Sequence, residues 1–175
     1  MGNLYCRTSA PARRAFTLVE ILIVVVILGI LAAMVVPKLS NASAVAREAT
    51  LKDDCRFLRT QIIVYTTQHH DVAPGYLNGN TAATPTTDDF IAQLTLFTDD
   101  VGHTSTTNAA PYQYGPYLTR MPDNPLNALV TIKIDTGTAA LTPDGTTGWL
   151  YQPATGTIIP NLVGVDSGGK VFATY

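Results

Sequence analysis

The stretch RRAFTLVEILIVVVILGILAAMVVPKL, Arg13 to Leu39, is the longest apolar run in the chain, and it carries one carboxylate, Glu20, near its start. From Ile21 to Val36 no side chain is charged or able to form a strong hydrogen bond. As a helix, Phe16 to Val36 would span roughly 31 Å at about 1.5 Å per residue, close to the ~30 Å hydrocarbon core of a bilayer. A helix lying on a soluble core needs a polar face, and this one has none. The run therefore predicts a single membrane pass. Pro37 follows it directly. A proline removes one backbone donor and loosens the preceding turn, so Pro37 reads as a helix break.

Charge is divided about this segment. Residues 1–15 hold Arg7, Arg13 and Arg14 and no acid, whereas residues 71–175 hold Arg120, Lys133 and Lys170 against nine aspartates. Basic residues just before an apolar span keep the N-terminus in the cytoplasm and send the remainder across the membrane. The acidic distal part is a poor partner for nucleic acid. The two cysteines, Cys6 and Cys55, lie on opposite sides of the span, which argues against an internal disulfide, and their spacing suggests no metal site.

A secretory signal places its small-residue cleavage site after the apolar core. Here the small residue, Ala15, comes before it. The string Arg13, Arg14, Ala15, Phe16, Thr17, Leu18, Val19, Glu20 and the apolar run behind it resemble the N-terminus of type IV pilins and type II secretion pseudopilins. Ala15 stands where that family most often has glycine and keeps the small side chain. The resemblance covers roughly Arg13 to Tyr65. It implies cleavage between Ala15 and Phe16 by prepilin peptidase on the cytoplasmic face, and N-methylation of the new Phe16 amine. The mature chain would then carry eight basic and thirteen acidic side chains, a net charge of −5.

A carboxylate entering hydrocarbon costs a few kcal/mol unless it is paired or reaches the interface. Glu20 lies about one helical turn from the new N-terminus and could fold back toward its own amine. When helices stack with an axial stagger, the Phe16 amine of a neighbouring subunit would arrive beside it. Desolvation offsets much of that attraction, so the pair would act chiefly as a register device between subunits. A glutamate that snorkels to lipid headgroups, or is simply protonated, is the plain alternative.

Beyond Pro37, Ala42, Val45, Ala49, Cys55, Leu58, Ile62 and Tyr65 recur at three- and four-residue steps, with Lys52 filling one slot. This predicts an amphipathic helix to about Gln68 whose apolar stripe packs on the globular domain, with Cys55 as a small buried hydrophobe. Gln68, His69, His70 and Asp71 read as polar residues at a helix end, where histidines suit unpaired carbonyls. Adjacent histidines point about 100° apart on a helix and make a poor metal site.

The remainder reads as loop, with Asp88 capping a short helix from Asp89 to Phe97, and a loop again to Gly115. Asp99 and Asp100 are adjacent carboxylates without a His, Ser or Cys constellation that would make them catalytic. Gly115 to Asn127 is rich in proline, with Tyr117 and Leu118 placed to dock on the long helix. It resembles the Gly-Pro-Tyr-Leu…Pro…Asn-Pro segment of major-pseudopilin-like proteins. Strands are predicted at Leu129–Asp135, Gly148–Pro153 and Gly156–Asn161, the last two as a hairpin, with a final edge strand at the Lys170–Tyr175 end. Trp149 and Tyr151 would share one face. The segment Gly164 to Val171 resembles the calcium-binding loop of major pseudopilins, which makes Asp166, its one carboxylate, a calcium candidate. A simple glycine-rich turn is the other reading of that loop, because calcium takes six to eight oxygens and usually several acids.

The expected fold is α+β and pilin-like. It has a cleaved leader over 1–15, a transmembrane and filament-core helix over 16–37, and an amphipathic helix over 38–70. A periplasmic or extracellular domain follows over 71–175, with a loop region at 71–127 and a small antiparallel sheet at 128–175. The resemblance implies a non-enzymatic subunit of a type II secretion pseudopilus, drawn from the bacterial inner membrane into a helical filament. Its partners would be identical or homologous subunits, prepilin peptidase and an inner-membrane assembly platform. A type IV pilus subunit for adhesion, motility or DNA uptake is the alternative within the class. A membrane-anchored enzyme or binding protein is the alternative outside it, and no nucleophile–base pair, phosphate loop or metal cluster favours that reading. No cofactor other than possible calcium is expected.

Overall fold

A computed structural model describes residues 16–175, without the side chains of residues 36–41. They form two units, one up to Ala42 and one from Ser43 to Tyr175. The fold is α+β.

Helix α1 runs from Leu18 to Gln68. In the first unit, its apolar side chains from Leu18 to Val35 are all exposed, with a mean hydropathy of 3.1 over those 18 residues. Helix α1 continues through Pro37, so the break expected there is not seen. A single proline removes only one of the helix's amide donors, and the backbone on either side can continue.

In the second unit α1 buries Leu51, Cys55, Leu58, Ile62 and Tyr65. Steps of four, three, four and three residues keep these side chains on one face of a 3.6-residue period. The stripe starts later than the sequence suggests, because Ala42, Val45 and Ala49 are exposed and Leu51 is the first core residue. Helix α2, Thr87–Thr95, contributes Phe90 and Leu94 to the same core. Its cap is Thr86 rather than Asp88. The Thr86 hydroxyl accepts from the Asp89 amide at 3.1 Å and donates to the Asp89 carboxylate at 2.6 Å. Threonine followed three residues later by an acid is a capping-box pattern, and it places the helix start two residues earlier than Asp89.

Helix α2 ends at Thr95, so Phe97, expected at the end of that helix, instead opens strand β1 (Phe97–Thr98), which pairs with β2 (Thr104–Ser105) as a short antiparallel hairpin where a loop is expected from Thr98 on. Asp99 closes it, accepting from the amides of Val101 and His103 and from the His103 ring. A second sheet joins β3 (Ile132–Ile134), β4 (Trp149–Gln152) and β5 (Thr157–Pro160) in that order. The β4–β5 pair is antiparallel, but β3 pairs with β4 in parallel, Ile132 opposite Trp149. The sheet is therefore mixed and not antiparallel throughout. Alternation along a strand marks its faces and leaves its direction open, while a parallel pair needs a connection of about a dozen residues or more, which residues 135–148 provide.

Trp149 and Tyr151 do share one face and lie fully buried against Ile62, Phe90 and Ile158 in one apolar cluster. The Trp149 indole donates to the Pro122 carbonyl at 2.9 Å, which ties the proline-rich connector to the sheet. That connector also docks on the helices as expected. The Tyr117 and Leu118 amides both donate to the Leu94 carbonyl, and the Tyr117 hydroxyl donates to Gln68 Oε1 at 2.6 Å. Only glycine fits at 148, because a Cβ there would collide with the Leu129 carbonyl. The Lys170–Tyr175 end is a single 3₁₀ turn, Phe172–Thr174, instead of an edge strand.

Candidate processing and assembly site

The site begins where α1 begins. Thr17 precedes the first helical residue, Leu18. Its hydroxyl accepts from the Glu20 amide at 3.2 Å. Glu20 Oε2 in return accepts from the Thr17 amide and the Thr17 hydroxyl, each at 3.2 Å. Thr17-Leu18-Val19-Glu20 is thus a reciprocal capping box, which satisfies amides that a helix start otherwise leaves unpaired. The negative charge also sits at the positive end of the helix dipole. The Thr-x-x-Glu spacing is legible in the sequence, yet attention to Glu20 as an isolated carboxylate hides Thr17. Phe16 is 78% exposed and Leu18 82%, so the residues on either side of the cap residue present apolar surface to the surroundings. Ala15 lies outside the described residues.

The box can orient the Glu20 carboxylate back toward the residues that precede the helix. In this chain the carboxylate meets the amide of Thr17, directly after Phe16. The apolar stretch behind it, Leu18 to Val35, is long and apolar enough to cross a membrane.

His69 departs from the polar helix-end role. Its ring is buried and stacks on Tyr65 at 3.8 Å between centroids, with Tyr114 and Tyr117 edge-on. Nδ1 lies 2.7 Å from the Tyr65 carbonyl and must donate to it, which leaves Nε2 to accept from the Thr98 hydroxyl at 2.9 Å. Burial, opposed by the Tyr65 carbonyl, holds the imidazole below its ordinary pKa. His70 keeps the expected exposed position and faces Asp100 at 3.6 Å. Cys55 is buried, and burial pushes its thiol up to about 11, as suits a packing residue.

Asp166, the calcium candidate, is filled by donors. Oδ1 accepts from the amides of Gly168 and Lys170, each at 2.8 Å, and Oδ2 accepts from Lys52 Nζ at 3.1 Å and from the Tyr175 hydroxyl. These donors, led by the Tyr175 hydroxyl, hold the carboxyl well below the usual carboxylate range. Among the described residues, no group of three or more His, Cys, Asp or Glu is placed to hold a metal ion. Asp166 with this donor set does not fit calcium.

Residues 11–36 match the family model described as the prokaryotic N-terminal methylation motif. The chain therefore carries a type IV pilin-like prepilin signal, on the segment where the capping box and the exposed apolar helix are found. That signal is a mark of structural subunits that are processed by prepilin peptidase and assemble with pilin-like partners. No curated protein and no solved structure gives a significant match to the chain.

Proposed function

We propose that the protein is a non-enzymatic structural subunit of a type II secretion pseudopilus, assembled from the bacterial inner membrane into a helical filament that acts in protein secretion. The observation that carries this reading is the methylation motif over residues 11–36, coinciding with an apolar helix whose side chains from Leu18 to Val35 are exposed among the described residues. A bilayer covers such a helix before assembly and neighbouring helices cover it afterwards. The leader, residues 1–15, stays cytoplasmic, and prepilin peptidase cuts between Ala15 and Phe16. The domain from Ser43 onward is delivered to the periplasm.

The mechanism is electrostatic and mechanical. Hydrolysis of the Ala15–Phe16 bond frees an amine at Phe16, next to the Thr17–Glu20 box, and a separate transfer from a methyl donor then methylates that amine. Within one subunit the box keeps Glu20 satisfied while it waits in the membrane. On assembly the carboxylate exchanges that internal partner for the Phe16 amine of an incoming subunit. Both groups leave water's reach together, so a misplaced neighbour leaves a charge unpaired in low dielectric. The Gly115–Asn127 connector, which resembles that of major pseudopilins, supports the secretion reading over a pilus. So does the sequence's content of two cysteines, which leaves residues 71–175 without a disulfide pair.

Expression of the full chain with and without a prepilin peptidase, followed by mass spectrometry of the N-terminus, tests the processing step. A methylated Phe16 start that depends on the peptidase is expected. A chain that retains its leader in the assembled polymer, or starts elsewhere, overturns the proposal.

A further inference from the structure

The C-terminal strap from Leu162 to Tyr175 is held on α1 by a set of charged contacts that the apolar stripe does not explain. Glu48, Lys52 and Arg59 supply them. At about 100° per residue these positions fall within roughly 40° of one another around the helix, so they form a polar stripe beside the buried one. Glu48 accepts from the Ser167 amide at 2.9 Å and from the Ser167 hydroxyl at 2.6 Å. Lys52 Nζ donates to Asp166 Oδ2 and lies 4.5 Å from the centre of the Tyr175 ring. Arg59 donates to the Ile158 carbonyl through Nε and Nη2, at 3.1 and 2.9 Å, and to the main-chain oxygen of Tyr175.

Asp166 is the centre of this arrangement. Its side chain is only 5% exposed. A carboxylate has about four lone-pair sites, and here four donors face them: two amides, one hydroxyl and one ammonium. Calcium needs six to eight oxygens turned inward and several acids. Glu48, the next acid along the strap contact, commits both of its oxygens to Ser167. A divalent ion could reach Asp166 only by expelling the Lys52 ammonium and turning two amide N–H groups away.

We propose that Lys52 serves as the cation of the 164–171 loop, so that the strap is closed on α1 by an ammonium built into the chain and not by a bound divalent ion. The ammonium gains a buried carboxylate and an aromatic face at once, and both are favourable to a cation that is partly withdrawn from water. This inference concerns the second unit alone and does not depend on whether the filament serves secretion or a pilus.

The test uses the full chain in detergent micelles, with thermal unfolding followed through Trp149, its only tryptophan. Unfolding midpoints in millimolar calcium chloride and in EGTA are expected to agree within about 1 °C, whereas Lys52→Met and Asp166→Asn each lower the midpoint by roughly 5 °C. The double variant should lose less than the sum of the two, since the first change already removes the pair. A calcium-induced rise in the wild-type midpoint that EGTA reverses would overturn the proposal. So would a Lys52→Met midpoint equal to wild type, or losses that simply add. If the variants do not fold, hydrogen exchange on the wild type decides. Amides of residues 164–171 should be equally protected in calcium and in EGTA, and calcium-dependent protection overturns the assignment.

Discussion

Helix α1 carries two different codes. Between Leu18 and Val35 every side chain in the apolar run is exposed, and no period separates one face from another. Between Leu51 and Tyr65 apolar residues recur at steps of three and four, and each of them is buried. Amphipathic periodicity is thus a request for one packed neighbour, while uniform apolarity asks to be surrounded. The single polar feature of the first region, the Thr17–Glu20 box, sits at its edge, where the carboxylate is satisfied by the helix's own first turn.

The sharpest way to break this comparison is Glu20→Ala. Membrane insertion should survive, because sixteen apolar residues follow the site, and incorporation into filaments should be abolished. Fractionation of membranes and sheared filaments measures both. Normal incorporation of the variant would leave the first region with no specific code beyond its apolarity.

Truncation of one leucine in each region comes next. Leu58 is fully buried and Leu28 is 58% exposed. Leu58→Ala should cost about 2–5 kcal/mol of stability in the second unit, whereas Leu28→Ala should change its unfolding by less than about 0.5 kcal/mol. Chemical denaturation in micelles, read through Trp149, compares them directly. Equal losses would mean that the two stretches of α1 are not distinct environments.

A smaller effect tests the end of α1. Because burial holds His69 below its ordinary value, the unfolded chain binds more protons than the folded one between that lowered value and about 6.5. The contribution is complete above about pH 6.5 and declines as pH falls toward the lowered folded value. Asp99 and Asp166 are also held low, and as carboxylates their contributions are present above about pH 4 and are lost only below it. The unfolding midpoint should therefore fall between pH 7.5 and pH 5, and His69→Gln should flatten that segment of the profile. A decline that persists in the variant assigns it to another group.

Much of this architecture is legible in the residues because it is local. The span, the amphipathic stripe from Cys55 to Tyr65, and the hairpin of Trp149 and Tyr151 all follow from periods within one element. What the reading misses is decided by partners far along the chain. Lys52 looks like an interruption of the apolar stripe until Asp166, 114 positions away, is placed against it. His69 looks like a polar helix end until Thr98 and three tyrosine rings enclose it. The direction of β3 depends on the path of residues 135–148, whose composition of Thr, Gly, Ala and Pro carries no period at all. At the candidate site the motif itself is plain, and the capping partner Thr17 is present in the same six letters, but spacing alone does not say that Glu20 turns back to it.

The strap contacts to α1 join positions 114 to 119 residues apart. Contacts of such high order form late, since closing a large loop costs chain entropy before any contact repays it. Until the distal segment is in place, Glu48, Lys52 and Arg59 have water for their partner. A polar stripe can stay hydrated until then, where an apolar one would ask to be covered at once, so these three side chains suit a contact that closes last.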